Sequence, residues 1–278
     1  MNLSSFFAII GLATLEGGLV ALPRAGALAQ LHRLRSPMWA AVLPGSILVG
    51  TFGPLAAPSL ARALVVLAAV ATPALAGVAI LAVARGPKLA LIATGFGLAF
   101  GAARVTGWFG ETADSLITAL GCLALGAALV RLIPVRWMLV GVLCMCAADV
   151  VLLMSGAGET ASQVMSGATA NMHLPTFDQA AFGPIATDYP DLVLAGALGG
   201  FLAGHRYQGR AAMLLTGLAA GSGMLLPLVG WLPATVPVTV AFVIFCLEHR
   251  TRRLQPSRLA PRHAVGAAPA TAPHEAPA

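Results

Sequence analysis

Nine apolar runs, spaced so that nearly all basic residues fall in alternate gaps, constrain this chain more than any other feature. They cover residues 5–22, 38–58, 61–84, 88–104, 115–133, 137–155, 191–204, 211–229 and 232–248. Each is about long enough to cross a bilayer once tilt and flanking residues are allowed. With 58% hydrophobic and 9% charged residues and a mean hydropathy of +0.88, the chain lacks the polar surface a water-soluble fold needs. The expected fold class is all-α: a polytopic membrane protein of about nine transmembrane helices within residues 1–253.

The charge pattern sets an expected orientation. If the N-terminus faces outward, the gaps on one side hold Arg24, Arg33 and Arg35; Arg85 and Lys88; Arg131 and Arg136; Arg206 and Arg210; then Arg250, Arg252, Arg253, Arg258 and Arg262. Of sixteen basic residues only Arg62 and Arg104 fall on the other side. Such a bias places the N-terminus outside and the C-terminus in the cytoplasm, with the plasma (inner) membrane as the expected location. Trp39, Trp108, Trp137 and Trp231 stand at predicted helix ends, where amphipathic rings anchor at the interface. The net charge of +6 is spread over short loops and a tail, which points to anionic lipid head groups on the cytoplasmic side rather than to nucleic acid.

No positively charged n-region precedes the first run, so 5–22 reads as a retained helix. The longest connection, 156–190, has no Lys or Arg and is expected to be an extracytoplasmic loop with a short amphipathic piece around 160–170. Residues 254–278, rich in Pro and Ala, are expected to form a disordered cytoplasmic tail. Cys122, Cys144, Cys146 and Cys246 all lie in apolar runs, which suits buried packing better than a disulfide framework. No internal repeat is evident, so an inverted-repeat transporter gains no support.

Two acids break the apolar runs: Asp149 in WMLVGVLCMCAADVVLLM and Asp191 opening DLVLAGALGGFLAGH. Ionised carboxylates are costly in hydrocarbon, so an intramembrane acid is a functional-site hypothesis by default. Counting from Arg136 and Arg206 puts them about 20 Å and about 22 Å above the cytoplasmic edge. Consecutive helices are often neighbours, so the two carboxylates are expected to face each other at one level. A close pair shares one proton, which yields an acid and a base from a single residue type. Aspartyl peptide hydrolysis requires that combination. The helix after Asp191 suits a close-packing partner: Asp191, Ala195 and Gly199 form one stripe, and Gly196, Gly200 and Gly204 repeat the GxxxG spacing beside it.

With these residues the chain resembles the intramembrane aspartyl protease family of presenilin and signal peptide peptidase, across most of its helical region. That family has nine helices, a catalytic Asp after a Tyr in helix six, a second in Gly-x-Gly-Asp opening helix seven, and Pro-Ala-Leu at the start of helix nine. The corresponding positions here are Ala148-Asp149, then Asp188-Tyr189-Pro190-Asp191, then Pro233-Ala234-Thr235. Ala148 replaces the Tyr, both glycines are absent, and Thr235 replaces the Leu. The resemblance implies Asp149 and Asp191 as catalytic residues and Pro233, Ala234 and Thr235 as substrate-binding. The orientation resembles the signal peptide peptidase branch. DLVLAGALGGFLAG is also similar to a stretch of prepilin peptidases, but their acids lie toward the cytoplasm, whereas the charge bias here puts both in the outer half.

Counting back from Arg250 puts Pro233 about 25 Å above the cytoplasmic edge, near the two acids. Backbone left unpaired by prolines at that depth is tolerated where it lines protein or a wet cavity. Glu16 lies about 12 Å up helix one, below the Asp level; the expectation is a buried partner such as a hydroxyl or Arg, with ion or proton binding as the alternative. Met165, Met172 and His173 are too loosely spaced for soft-metal capture, and Cys144 and Cys146 point in different directions on a helix, so no metal and no cofactor is expected. Asp178 and Asp188 read as loop acids, Asp188 being the substitute if the alignment slips by three. The resulting expectation is an aspartic endopeptidase that hydrolyses peptide bonds in transmembrane helices or remnant signal peptides. The alternatives are a cation- or proton-coupled transporter or channel using the same acids, and a catalytically inactive homologue that binds helices.

Overall fold

The computed structural model describes residues 3–104, 108–172, 177, 179–183, 185–229, 233 and 235–253. Ala234, His173, Asp178 and the tail 254–278 lie outside the described residues. Ten α-helices are described: α1 (Leu3–Ala21), α2 (Val42–Ala56), α3 (Pro58–Val78), α4 (Lys88–Arg104), α5 (Trp108–Leu132), α6 (Val135–Ser155), α7 (Ala157–Met172), α8 (Tyr189–Leu202), α9 (Gln208–Val229) and α10 (Thr235–Arg253). A 3-10 turn (Pro37–Ala41) leads into α2, and a π-turn (Ala79–Val83) extends α3. Five segments are long and apolar enough to cross a membrane: Leu3–Ala21, Pro37–Ala56, Pro58–Val83, Phe109–Leu132 and Val135–Ser155. Lys88–Ala102, Tyr189–Leu202 and Thr235–Glu248 are shorter apolar helices. The chain is thus helical and suited to a bilayer, and its outer faces carry exposed large apolar side chains such as Phe52, Leu67, Val70, Phe96, Val151 and Met213.

Local chemistry sets the breaks. Ala57 is extended (φ −153°, ψ 120°) because the following Pro58 disfavours the helical region, and Pro58 then starts α3 at a position that needs no amide donor. Gly156 ends α6 at φ 68°, the left-handed stop that glycine adopts without strain. The chain resumes at once as α7. The connection 156–190 is therefore not mainly loop: a sixteen-residue helix packed on α2 and α3 occupies its first half. A hairpin follows, with β1 (Gln179–Phe182) antiparallel to β2 (Ile185–Asp188) in the register Gln179↔Asp188 and Phe182↔Ile185.

The hairpin caps one end of the bundle. The Ser115 hydroxyl, near the start of α5, donates to the Ala181 carbonyl (2.8 Å) and accepts from the Ala181 amide (3.0 Å). Phe182 covers Gly11 in the first half of α1.

Arginines knit the opposite end. The segments after α1 and α3 pair through Arg24 N to Val83 O (2.9 Å) and Arg85 N to Leu22 O (3.0 Å). Side chains then cover backbone carbonyls: Arg24 Nε on Ala82, Arg85 Nε on Pro23, and Arg131 Nε on Ala27. Only Ala82 is at a helix end, where a guanidinium complements the dipole; Pro23 and Ala27 lie in the connection after α1, where carbonyls need donors as well. Gln208, 4% exposed, completes the joint: its amide donates to the carbonyls of Val20 and Pro23, and its oxygen accepts from Arg85 and from the amide of Gly204. The loops after α1, α3 and α8 are thereby bonded to one another at one end.

α8 runs through the middle, with every residue from Asp191 to Gly199 buried. Glycine lets it do so. A Cβ on Gly196 would stand 2.9 Å from the Cys122 carbonyl oxygen of α5, and one on Gly199 would stand 2.5 Å from the Leu19 carbonyl oxygen of α1. Gly126 of α5 meets the α8 backbone in the same way. Backbone-to-backbone packing of this kind joins membrane helices through small residues. Gly200 continues it against Ala127, but Gly204 lies beyond the helix end in a turn at φ 84°, beside Ala25. The expected three-glycine stripe is thus two helical glycines and a turn.

Candidate functional site

Asp191 sits in the first turn of α8 behind Pro190, which starts the helix. It is 2% exposed, and its Oδ1 has no hydrogen-bond partner among the described residues. Glu16, Asp188, Asp149 and Cys146 are near enough to bear on its charge. All of these are acidic or neutral.

Asp149, half-buried on α6, accepts a hydrogen bond on Oδ2 from the Thr235 hydroxyl at 2.6 Å. That length is typical of a hydroxyl bonded to a carboxylate. Thr235 opens α10 and is 1% exposed, and Pro233 just before it is buried. α10 packs against both α6 and α8, the helices that carry the two acids. The expectation that α6 and α8 face each other directly is corrected: α8 packs chiefly on α5 and α1, and its glycines select those partners because only they offer matching small residues and bare backbone. The start of α10 holds Asp149 through Thr235, and Asp149 is near enough for its charge to bear on Asp191.

Two further polar groups border this region. Thr239, one turn after Thr235 on α10 and 7% exposed, has a hydroxyl with no partner among the described residues. Glu16, 5% exposed on α1, leaves Oε2 equally unpartnered. No hydroxyl or Arg partner of the kind expected for Glu16 reaches Oε2 among the described residues; Arg24, Arg85 and Arg131 of the basic end bond backbone carbonyls through Nε. Glu16 instead borders a cavity of about 100 Å³ beneath β2, shared with Thr187, Ser222 and Pro237. Sequence reasoning placed Glu16 below the Asp level and passed over Thr239. The four-residue spacing from Thr235 to Thr239 puts both hydroxyls on one helix face, and was the available signal.

The remaining candidates scatter. Asp188, exposed at the end of β2, lies within electrostatic reach of Asp191. Met165 and Met172 are half-buried on α7. All four cysteines are free; Cys122 is buried with its thiol toward the Tyr189 carbonyl (3.8 Å), whereas Cys144 is exposed rather than packed inside. Among the described residues no group of three His, Cys, Asp or Glu is arranged to hold a metal ion.

Chemically, the centre offers one carboxylate held by a hydroxyl donor and a second, more deeply buried carboxylate within reach of its charge. A base and an acid of that kind can act on one water and one carbonyl. In comparisons with known proteins, no family model, no curated protein and no solved structure matches this chain.

Proposed function

We propose that the chain is an intramembrane aspartyl endopeptidase, resembling presenilin and signal peptide peptidase, with Asp149 and Asp191 as its catalytic pair. The observation that carries this reading is the convergence of three positions far apart in sequence. Thr235, in the third motif of the resemblance, donates to Asp149, and Asp149 in turn lies within electrostatic reach of Asp191. The reading includes nine spans, with α4, α8, α9 and α10 crossing alongside the five longer ones, an outside N-terminus and a cytoplasmic C-terminus. Its substrates are single-span helices or remnant signal peptides, and anionic lipids meet the basic end.

The Thr235 bond holds one oxygen of Asp149 and fixes its orientation for the role of base. Asp191, buried and with Oδ1 unpartnered among the described residues, is assigned the proton in this reading. Asp149 takes a proton from water as the water oxygen attacks the peptide carbonyl carbon, and Asp191 gives its proton to the carbonyl oxygen. As the tetrahedral intermediate collapses, Asp191 recovers a hydroxyl proton, Asp149 protonates the leaving nitrogen, and the C–N bond breaks. Pro233 and the first turn of α10 flank the site, where an unwound substrate strand is held.

The test is cleavage of a helix-destabilised single-span peptide by the purified protein in lipid. Asp149→Asn and Asp191→Asn each abolish cleavage, and Asp188→Asn leaves it. Cation or proton flux in liposomes without proteolysis would replace this reading with the transporter class.

A further inference from the structure

The carboxylate of Glu16 has no role in the hydrolysis just described, yet it is near enough to bear on the charge of Asp191. It is 5% exposed, Oε2 has no partner among the described residues, and it borders the cavity of about 100 Å³ between α1, β2, α9 and α10. A carboxylate buried at this depth is tolerated when a proton or a cation neutralises it. The cavity supplies what a cation needs. The Ser222 hydroxyl spends its hydrogen on the Ala219 carbonyl (2.9 Å), so toward the cavity its oxygen presents only lone pairs. Thr187, 7% exposed on β2, borders the same space. Oxygen donors with a single negative charge suit a hard monovalent ion, whereas divalent ions take more carboxylates. A water's share of volume is about 30 Å³, so the space fits a sodium-sized ion with one or two waters.

We infer that the cavity bordered by Glu16, Ser222 and Thr187 is a binding site for a partly hydrated monovalent cation of sodium size. Bound there, the ion ties α1 to α9 and to the hairpin. The site stands whether or not the chain is a peptidase, and its test reads binding rather than turnover.

The experiment compares thermal unfolding of the purified full chain in sodium chloride and in choline chloride at equal ionic strength. A ligand bound only by the folded state raises the transition, by about 3–5 °C at a tenfold excess over Kd for a chain of this size. The wild type shows this sodium-dependent rise, and Glu16→Gln, which keeps the shape and removes the charge, loses it. Ser222→Ala serves as a second variant that keeps the carboxylate; its rise requires several-fold more sodium. Identical transitions in the two salts for the wild type would overturn the inference, as would a sodium response retained in Glu16→Gln. If Glu16→Gln does not fold, an unchanged sodium requirement in Ser222→Ala overturns it instead.

Discussion

Replacing Thr235 by Val removes one hydroxyl and almost nothing else, since the two side chains share shape and branching. The hydroxyl donates to Asp149 Oδ2 at 2.6 Å and is 1% exposed, so no water can take its place from the Thr235 side. Hydrogen bonds to charged groups contribute about 1.5–3 kcal/mol, and each 1.4 kcal/mol corresponds to about tenfold in rate. If the bond aims Asp149 at the attacking water, Thr235→Val lowers kcat for peptide cleavage about 10–100-fold. KM changes little, because the bond touches the base and not the substrate. Thr235→Ser, which restores the donor, recovers most of the rate. The assay is steady-state cleavage of a fluorogenic single-span peptide, with thermal unfolding measured alongside. A Val variant within twofold of wild type, or a Ser variant as slow as Val, would refute the role of this bond.

Other expectations follow from the packing. Gly199→Val puts branched carbons where a Cβ alone would stand 2.5 Å from the Leu19 carbonyl oxygen; it destabilises the fold by about 1–3 kcal/mol or more, read as a lowered unfolding temperature. Gln208→Leu strips donors from the buried carbonyls of Val20 and Pro23 and an acceptor from Arg85, and lowers stability by about 2–4 kcal/mol in the same measurement. A reporter fused after Arg253 behaves as cytoplasmic and one inserted near Ala170 as extracytoplasmic; the reverse pair would overturn the orientation.

The helices were largely legible, because long apolar runs and their prolines leave few alternatives in a bilayer. α7 was only glimpsed, since its Ala, Gly, Ser and Thr residues give a weak apolar period and the Gly156 stop looks like the start of a loop. Asp149 and Asp191 stood out because each interrupts an apolar run. Their partners did not, because which helix lies between them depends on where glycines admit a neighbour's backbone. The placing of Glu16 shows the same limit. Asp191 was counted from Arg206 as if helical throughout, but α8 ends at Leu202, so about 6 Å of that rise is turn. Gly199 rests on Leu19 and Val20, one turn from Glu16 and two turns from Asp191, so Glu16 stays below Asp191 but by about 6–7 Å rather than the roughly 10 Å of the count. Contact register of this kind leaves no mark in hydropathy.

Whether the two acids act as one unit is the central claim, and a double-mutant cycle in the cleavage assay tests it most directly. A pair sharing one proton fails completely when either member is lost, so Asp149→Asn, Asp191→Asn and the double variant fall to the same background rate. Losses that add from single to double, or one single variant that cleaves near the wild-type rate, would contradict the account.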